Sequence, residues 1–131
     1  MASIYVANTN EQAVAVGGTV NFGGIIRRQG KTYDVSGGNL IIRRAPNELH
    51  DITINTTIAA TEAGVITLSL YQDGVAIPGA VTSKTVGIGS TYCLNLTDIL
   101  VRTACCGASV ITAVVSGVEA TVTNATITAR G

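Results

Sequence analysis

The chain has 131 residues, enough for one domain that folds without a metal or a disulfide framework, since a domain of this size hides about two-thirds of its unfolded surface. Apolar residues make up 47% and charged residues only 12%, where an average soluble domain carries about 25% charge, so the surface must be built from Thr, Ser, Asn and Gly or be covered by another chain. The formal net charge is zero, which excludes an electrostatic pull toward nucleic acid or an anionic membrane and leaves little charge repulsion against self-association.

Short extended runs alternate with turn signals from end to end. Ile4–Ala7 and Ala13–Val16 come first, the second closed by Gly17-Gly18. Thr19–Phe22 follows, with Val20 and Phe22 on one face, and stops at Gly23-Gly24. Arg27–Lys31 is polar and reads as a loop. Tyr33–Val35 and Leu40–Ile42 are short strand candidates. In the next segment Ile52, Ile54, Thr56 and Ile58 alternate with Thr53, Asn55 and Thr57, the period of a half-buried strand. Val65–Tyr71 repeats that period and runs into Asp73-Gly74, a pair that accepts positive φ at both central positions of a hairpin turn. The returning strand, Val75–Ile77, is expected to stop at Pro78-Gly79, and Ala80–Val86 reads as a weaker strand of its own. Thr91–Val101 is the longest candidate, with Tyr92, Leu94 and Leu96 sharing a face. Val110–Val115 is apolar on both faces, as in a central or covered strand. A Thr-rich alternating strand, Ala120–Ala129, closes the chain. Eight to ten short strands and no helical period predict an all-β sandwich or barrel.

No apolar run reaches the roughly 18 residues of a membrane span, and the first basic residue is Arg27, so no signal peptide is expected and synthesis is expected in the cytosol. Cys93, Cys105 and Cys106 are an odd set with an adjacent pair and read as buried small hydrophobes rather than as a disulfide framework. With His50 the only histidine, they form no metal-ligand spacing, and no local motif supports a Cys–His nucleophile. Asp51 with Glu48, and Asp98 and Glu119 at strand ends, make no recognisable acid/base pair. No helix start follows the glycine pairs, so they read as turns rather than phosphate cradles. No catalytic residue, cofactor or metal is expected. Arg27, Arg28, Arg43 and Arg44 hold half of the basic residues in one stretch. They can dock an acidic partner or serve as edge charges that block aggregation.

The chain resembles the C1q/tumour-necrosis-factor-like jelly rolls found in spore-surface glycoproteins and, as small proteins, in phages and prophages of Gram-positive bacteria. The resemblance is carried by Val14-x-Val16-Gly17-Gly18-x-Val20-x-Phe22, by Ile52–Ile58, and by Gly64-x-Ile66-x-Leu68-x-Leu70-Tyr71-x-Asp73-Gly74-Val75-Ala76-Ile77-Pro78-Gly79. Cys105-Cys106 and the closing Ala120-Thr121-Val122-Thr123-Asn124-Ala125 complete it. One departure is Glu48-Leu49-His50-Asp51, where the family usually carries Gly-x-Tyr. The resemblance implies a single jelly-roll domain over residues 1–131, about ten antiparallel strands, and a homotrimer whose interface is lined by Tyr92, Leu94, Val110 and Val114. The competing arrangement turns Tyr92, Leu94 and Leu96 into the sandwich core. It also implies a non-enzymatic virion protein of a bacteriophage, a capsid decoration or head-fibre trimer whose partners include the major capsid protein. The alternative is a glycan- or host-surface-binding trimer on a bacterial or spore surface, served by the polar loops Asn8–Gln12 and Arg27–Lys31.

Overall fold

The structure is a computed structural model that describes residues 2–43, 49–103 and 108–131. These residues form eleven strands and no helix: β1 (Ser3–Asn8), β2 (Gln12–Val14), β3 (Gly24–Gln29), β4 (Tyr33–Ser36), β5 (Asn39–Ile42), β6 (Leu49–Ala60), β7 (Gly64–Gln72), β8 (Val75–Val86), β9 (Thr91–Arg102), β10 (Ser109–Ser116) and β11 (Ala120–Arg130). One sheet runs β3-β1-β11-β6-β9, with β2 attached to β11, and the other runs β4-β5-β10-β7-β8. Every named pair is antiparallel. Counting β1, β5 and β6–β11 as an eight-strand frame, the first sheet holds its first, eighth, third and sixth strands. The second sheet holds the second, seventh, fourth and fifth. That order is a jelly roll, two Greek keys wrapped into a sandwich.

Alternation builds the interior. Ile52, Ile54 and Ile58 of β6, Ile66, Leu68 and Leu70 of β7, Ile111, Ala113 and Val115 of β10, and Val122, Ala125 and Ile127 of β11 all point inward and are buried. Each large aliphatic side chain so buried contributes about 1.5–3 kcal/mol. Thr56 lies in the same inward row, and its hydroxyl donates to the Leu94 carbonyl at 2.8 Å, which satisfies a polar group that alternation forces inside. As expected, β10 is the central strand of its sheet.

The Asp73-Gly74 turn has φ of 52° and 82° at its two central residues, the positive pair a two-residue hairpin needs. Asp73 also ties the turn to the neighbouring strand. Its N–H donates to the Val110 carbonyl at 2.9 Å, and its Oδ1 accepts from the Val110 N–H at 2.8 Å.

Three sequence expectations change. Arg27–Lys31 is not wholly loop: Gly24–Gln29 is β3, paired with β1, because the β-branched Ile25-Ile26 and an available sheet edge outweigh the polarity of the arginines. Thr19–Phe22 is not a strand of the frame. It lies beside the second half of β10, where Val20 donates to the Ala113 carbonyl at 2.9 Å and Thr19 bridges Val114. Its Val20 and Phe22 are buried, as their spacing predicted. Pro78-Gly79 does not end a strand: β8 continues through it with a register shift opposite Ser69 and Tyr71. A proline is tolerated there because β8 is an edge strand.

Gly117 and Gly74 both have positive φ, at 94° and 82°. A Cβ at Gly117 would land on the Val65 carbonyl oxygen, whereas a Cβ at Gly74 would meet nothing. Gly74→Ala is therefore expected to cost about 1 kcal/mol of backbone strain, and Gly117→Ala about 3 kcal/mol or more. Urea unfolding of the two variants checks this; equal losses would contradict the close approach at Val65.

Candidate interaction surfaces

The basic residues occupy one flank. β3 ends the first sheet and β4 ends the second, and these two edges lie side by side. Asp34 on β4 sits between two guanidinium groups, with Arg28 at 3.4 Å from Oδ1 and Arg43 at 3.1 Å from Oδ2. The Val35 N–H also donates to Asp34 Oδ1 at 2.8 Å. That backbone donor, followed by Arg43 and Arg28, holds the Asp34 carboxyl below its ordinary range. Arg27 pairs across β1 with Tyr5 on the outer face of the first sheet, and no salt bridge forms to it among the described residues. Arg44 lies outside the described residues. The structure thus gathers Arg27, Arg28 and Arg43 on one flank and engages two of them with a single carboxylate.

The four residues expected at a subunit interface do not share a surface. Leu94 is buried in the core of the single chain beside Leu96, so it is not available to a neighbouring subunit. The alternation of β9 is the reason: residues 92, 94 and 96 turn inward together. Tyr92 is half-buried and packs against the core. Its hydroxyl accepts the Gly87 N–H at 2.9 Å, and the Lys84 amine stands 5.5 Å from its ring centre. Tyr92 therefore closes the gap between the edge strands β8 and β9. Val110 and Val114 are half-buried on the outer face of the other sheet, in cross-strand rows with Ile41 and Ser69.

The expectation that the cysteines are buried fails at Cys93, which is exposed on the outer face of the first sheet opposite Thr57. Its position follows from the same alternation that buries Leu94. Cys105 and Cys106 lie outside the described residues. His50 is fully buried, its Nδ1 2.6 Å from the Tyr33 hydroxyl, with the rings edge-on at 5.4 Å. This pair joins β6 of one sheet to β4 of the other. It faces inward while Cys93 faces outward, so the two cannot act together.

Sequence reasoning missed a pairing of carboxyls. Asp51 on β6 and Asp98 on β9 are neighbours across a bulge in the β6–β9 ladder, where Asp98 has φ of 55°. Burial, then the hydrogen bond and like charge of Asp98, raise the Asp51 carboxyl above its ordinary range, and Arg130 offsets part of this. Forty-seven positions separate the two aspartates, and only strand register brings them together. Among the described residues no three metal-ligating side chains cluster.

In the loop at Asn8–Gln12 the side-chain amides of Asn8 and Gln12 are engaged within the fold. Gln12 makes two hydrogen bonds to the Asn21 backbone, at 2.7 and 2.9 Å, and Asn8 donates to the Asn21 carbonyl at 3.0 Å. A shallow depression lined by Ala13–Ala15, Thr61 and Glu119–Thr121 carries one carboxylate and two threonine hydroxyls.

No protein-family model matches the chain, and no curated protein matches it significantly in sequence. Solved structures do match. PRD1 vertex protein P5 superposes with a TM-score of 0.67 over 98% of this chain and 72% of that one, at 12% identity. Chains of infectious bursal disease virus, Gx and Gt strains, each superpose with a TM-score of 0.51 over 98% of this chain, at 10% and 8% identity. This chain spans only 32% of each of those. At such identities the likeness establishes a shared fold, an all-β jelly roll of two antiparallel sheets.

Two substitutions test these placements. Tyr92→Ala removes a half-buried ring and the acceptor of the Gly87 N–H, and is expected to cost about 2 kcal/mol with no change in oligomeric mass. A shift to smaller mass on dilution would return Tyr92 to a subunit interface. For Asp51 the sign follows from its raised pKa: the folded chain holds that proton more tightly than the unfolded chain, so stability falls as pH rises through the folded value. Asp51→Asn should therefore raise the melting temperature at neutral pH, and the gain should vanish once the medium is acid enough to protonate the wild-type carboxyl in both states. A loss of stability at neutral pH would contradict this.

Proposed function

We propose that this chain is a non-enzymatic structural or accessory protein of a bacteriophage virion, a homotrimer of C1q/TNF-like jelly rolls that decorates the capsid or forms a head fibre. The observation that carries the reading is the match of its jelly roll, over 98% of its length, to a solved vertex protein. The low charge and the apolar exterior support assembly with other chains. Val65 and Val81 are each 53% exposed on the second sheet, where Tyr71, Val110 and Val114 are half-buried. On this face the valines stand among Thr67, Ser69 and Thr112; exposed apolar side chains gathered on one face favour a protein contact, and we assign the subunit contact to it, with the major capsid protein as the second partner. The glycan-binding reading draws less support, because the amides of Asn8 and Gln12 that would face a sugar are already bonded to Asn21.

Light scattering at low micromolar concentration should give about three times the 13.3 kDa chain mass, and Val114→Asp should shift the population toward monomer. A stable wild-type monomer would refute the trimer. Purified particles should contain the protein; its presence only in the soluble cell fraction would refute the virion role.

A further inference from the structure

We propose that the outer edge of β3 is a strand-addition site for an extended acidic segment of another polypeptide. The inference does not depend on the virion reading. β3 ends its sheet: β1 pairs with one side, and no described strand pairs with the other. All six of its residues are exposed, Ile25 and Ile26 among them. Gly23 and Gly30, with φ of 79° and 78°, bracket it and set its length. A row of unpaired N–H and C=O groups on such an edge is a template for an added strand.

Edges are usually defended by charged side chains, lysine above all, by proline or by a bulge. β3 carries two such charges, Arg27 and Arg28, and Asp34 engages only the second. β3 contains neither lysine nor proline, and its bulge leaves Ile26 without a partner on β1 while Arg27–Gln29 stay in register with Ser3–Tyr5. The bulge disfavours indiscriminate pairing, so an occupant needs a contact beyond the backbone. Charge supplies it. Residues 24–43 hold Arg27, Arg28, Lys31 and Arg43 against one carboxylate, Asp34. Asp34 engages Arg28 and Arg43 and leaves Arg27 beside Tyr5. A guanidinium fork binds a carboxylate bidentately and favours acidic partners over neutral ones.

A second copy of this chain is the weaker occupant. Two β3 strands paired about a two-fold axis would bring four arginines within one short ladder, and like charges placed opposite are destabilising. An acidic strand neutralises the same groups.

The test uses the full chain and a fluorescein-labelled eight-residue peptide of alternating Val and Glu, read by fluorescence anisotropy. One control peptide is methylated on alternate backbone nitrogens, and another replaces Glu by Lys. The acidic peptide is expected to bind, and its methylated form to bind at least about tenfold more weakly because it cannot complete the ladder. The Lys peptide is expected not to bind. Arg27→Glu, which leaves the Arg28–Asp34–Arg43 cluster intact, should weaken the acidic peptide about tenfold with an unchanged melting temperature. Equal binding of the methylated peptide would reduce the site to charge attraction alone and overturn the proposal, as would equal binding of the Lys peptide. Failure of the acidic peptide to bind would also overturn it, and so would a wild-type dimer that Arg27→Glu alters, which would identify a second copy as the occupant.

Discussion

Every strand of the eight-strand frame must deliver alternate side chains into one aliphatic interior shared by two sheets, and the rest of the molecule follows from that requirement. With a single Phe and no Trp in the chain, Phe22 and Tyr33 are the only aromatics fully buried among the described residues, so many Ile, Leu, Val and Ala side chains must interlock. A one-residue slip in any strand would turn its apolar row outward. The bulges in the β6–β9, β6–β11 and β7–β8 ladders absorb local departures without losing the inward row on either side. Thr56 and His50 show the cost of the rule, since each is carried inside by its position and each is met there by a hydrogen-bond partner.

Much of this was legible in the sequence. The alternation of Ile52–Ile58 and Val65–Tyr71, the Asp73-Gly74 turn and the doubly apolar Val110–Val115 pointed to a sandwich or barrel with a central or covered strand, because the strand period is a local property. Alternation alone does not say which of two faces is the inner one. That ambiguity affected β9, where Leu94 belongs to the core and Cys93 to the surface. β3 was obscured for a different reason: an edge strand needs only one neighbour and no buried face, so its composition can look like a loop.

The candidate surfaces were less legible, because they are products of register. Asp51 meets Asp98 only through the β6–β9 ladder, and Arg28 and Arg43 meet at Asp34 only because β3 and β4 end their sheets side by side. The arginine stretch could be singled out from sequence. Its split into two groups bonded to a carboxylate and one beside a tyrosine could not. Glu48, Arg44, Cys105 and Cys106, which the sequence analysis also weighed, lie outside the described residues.

The proline within β8 gives the molecule a direction. On that flank Pro78 removes a backbone donor from the edge of one sheet, while the bulge at Asp98 interrupts the edge of the other. The opposite flank, at β3, keeps every backbone donor, and its bulge at Ile26 stops short of Arg27–Gln29, which stay in register. A strand received at β3 therefore finds no equally continuous ladder on the far side through which a further molecule could be recruited. In polymer terms the subunit is a chain terminator: it can close a growing sheet without propagating it.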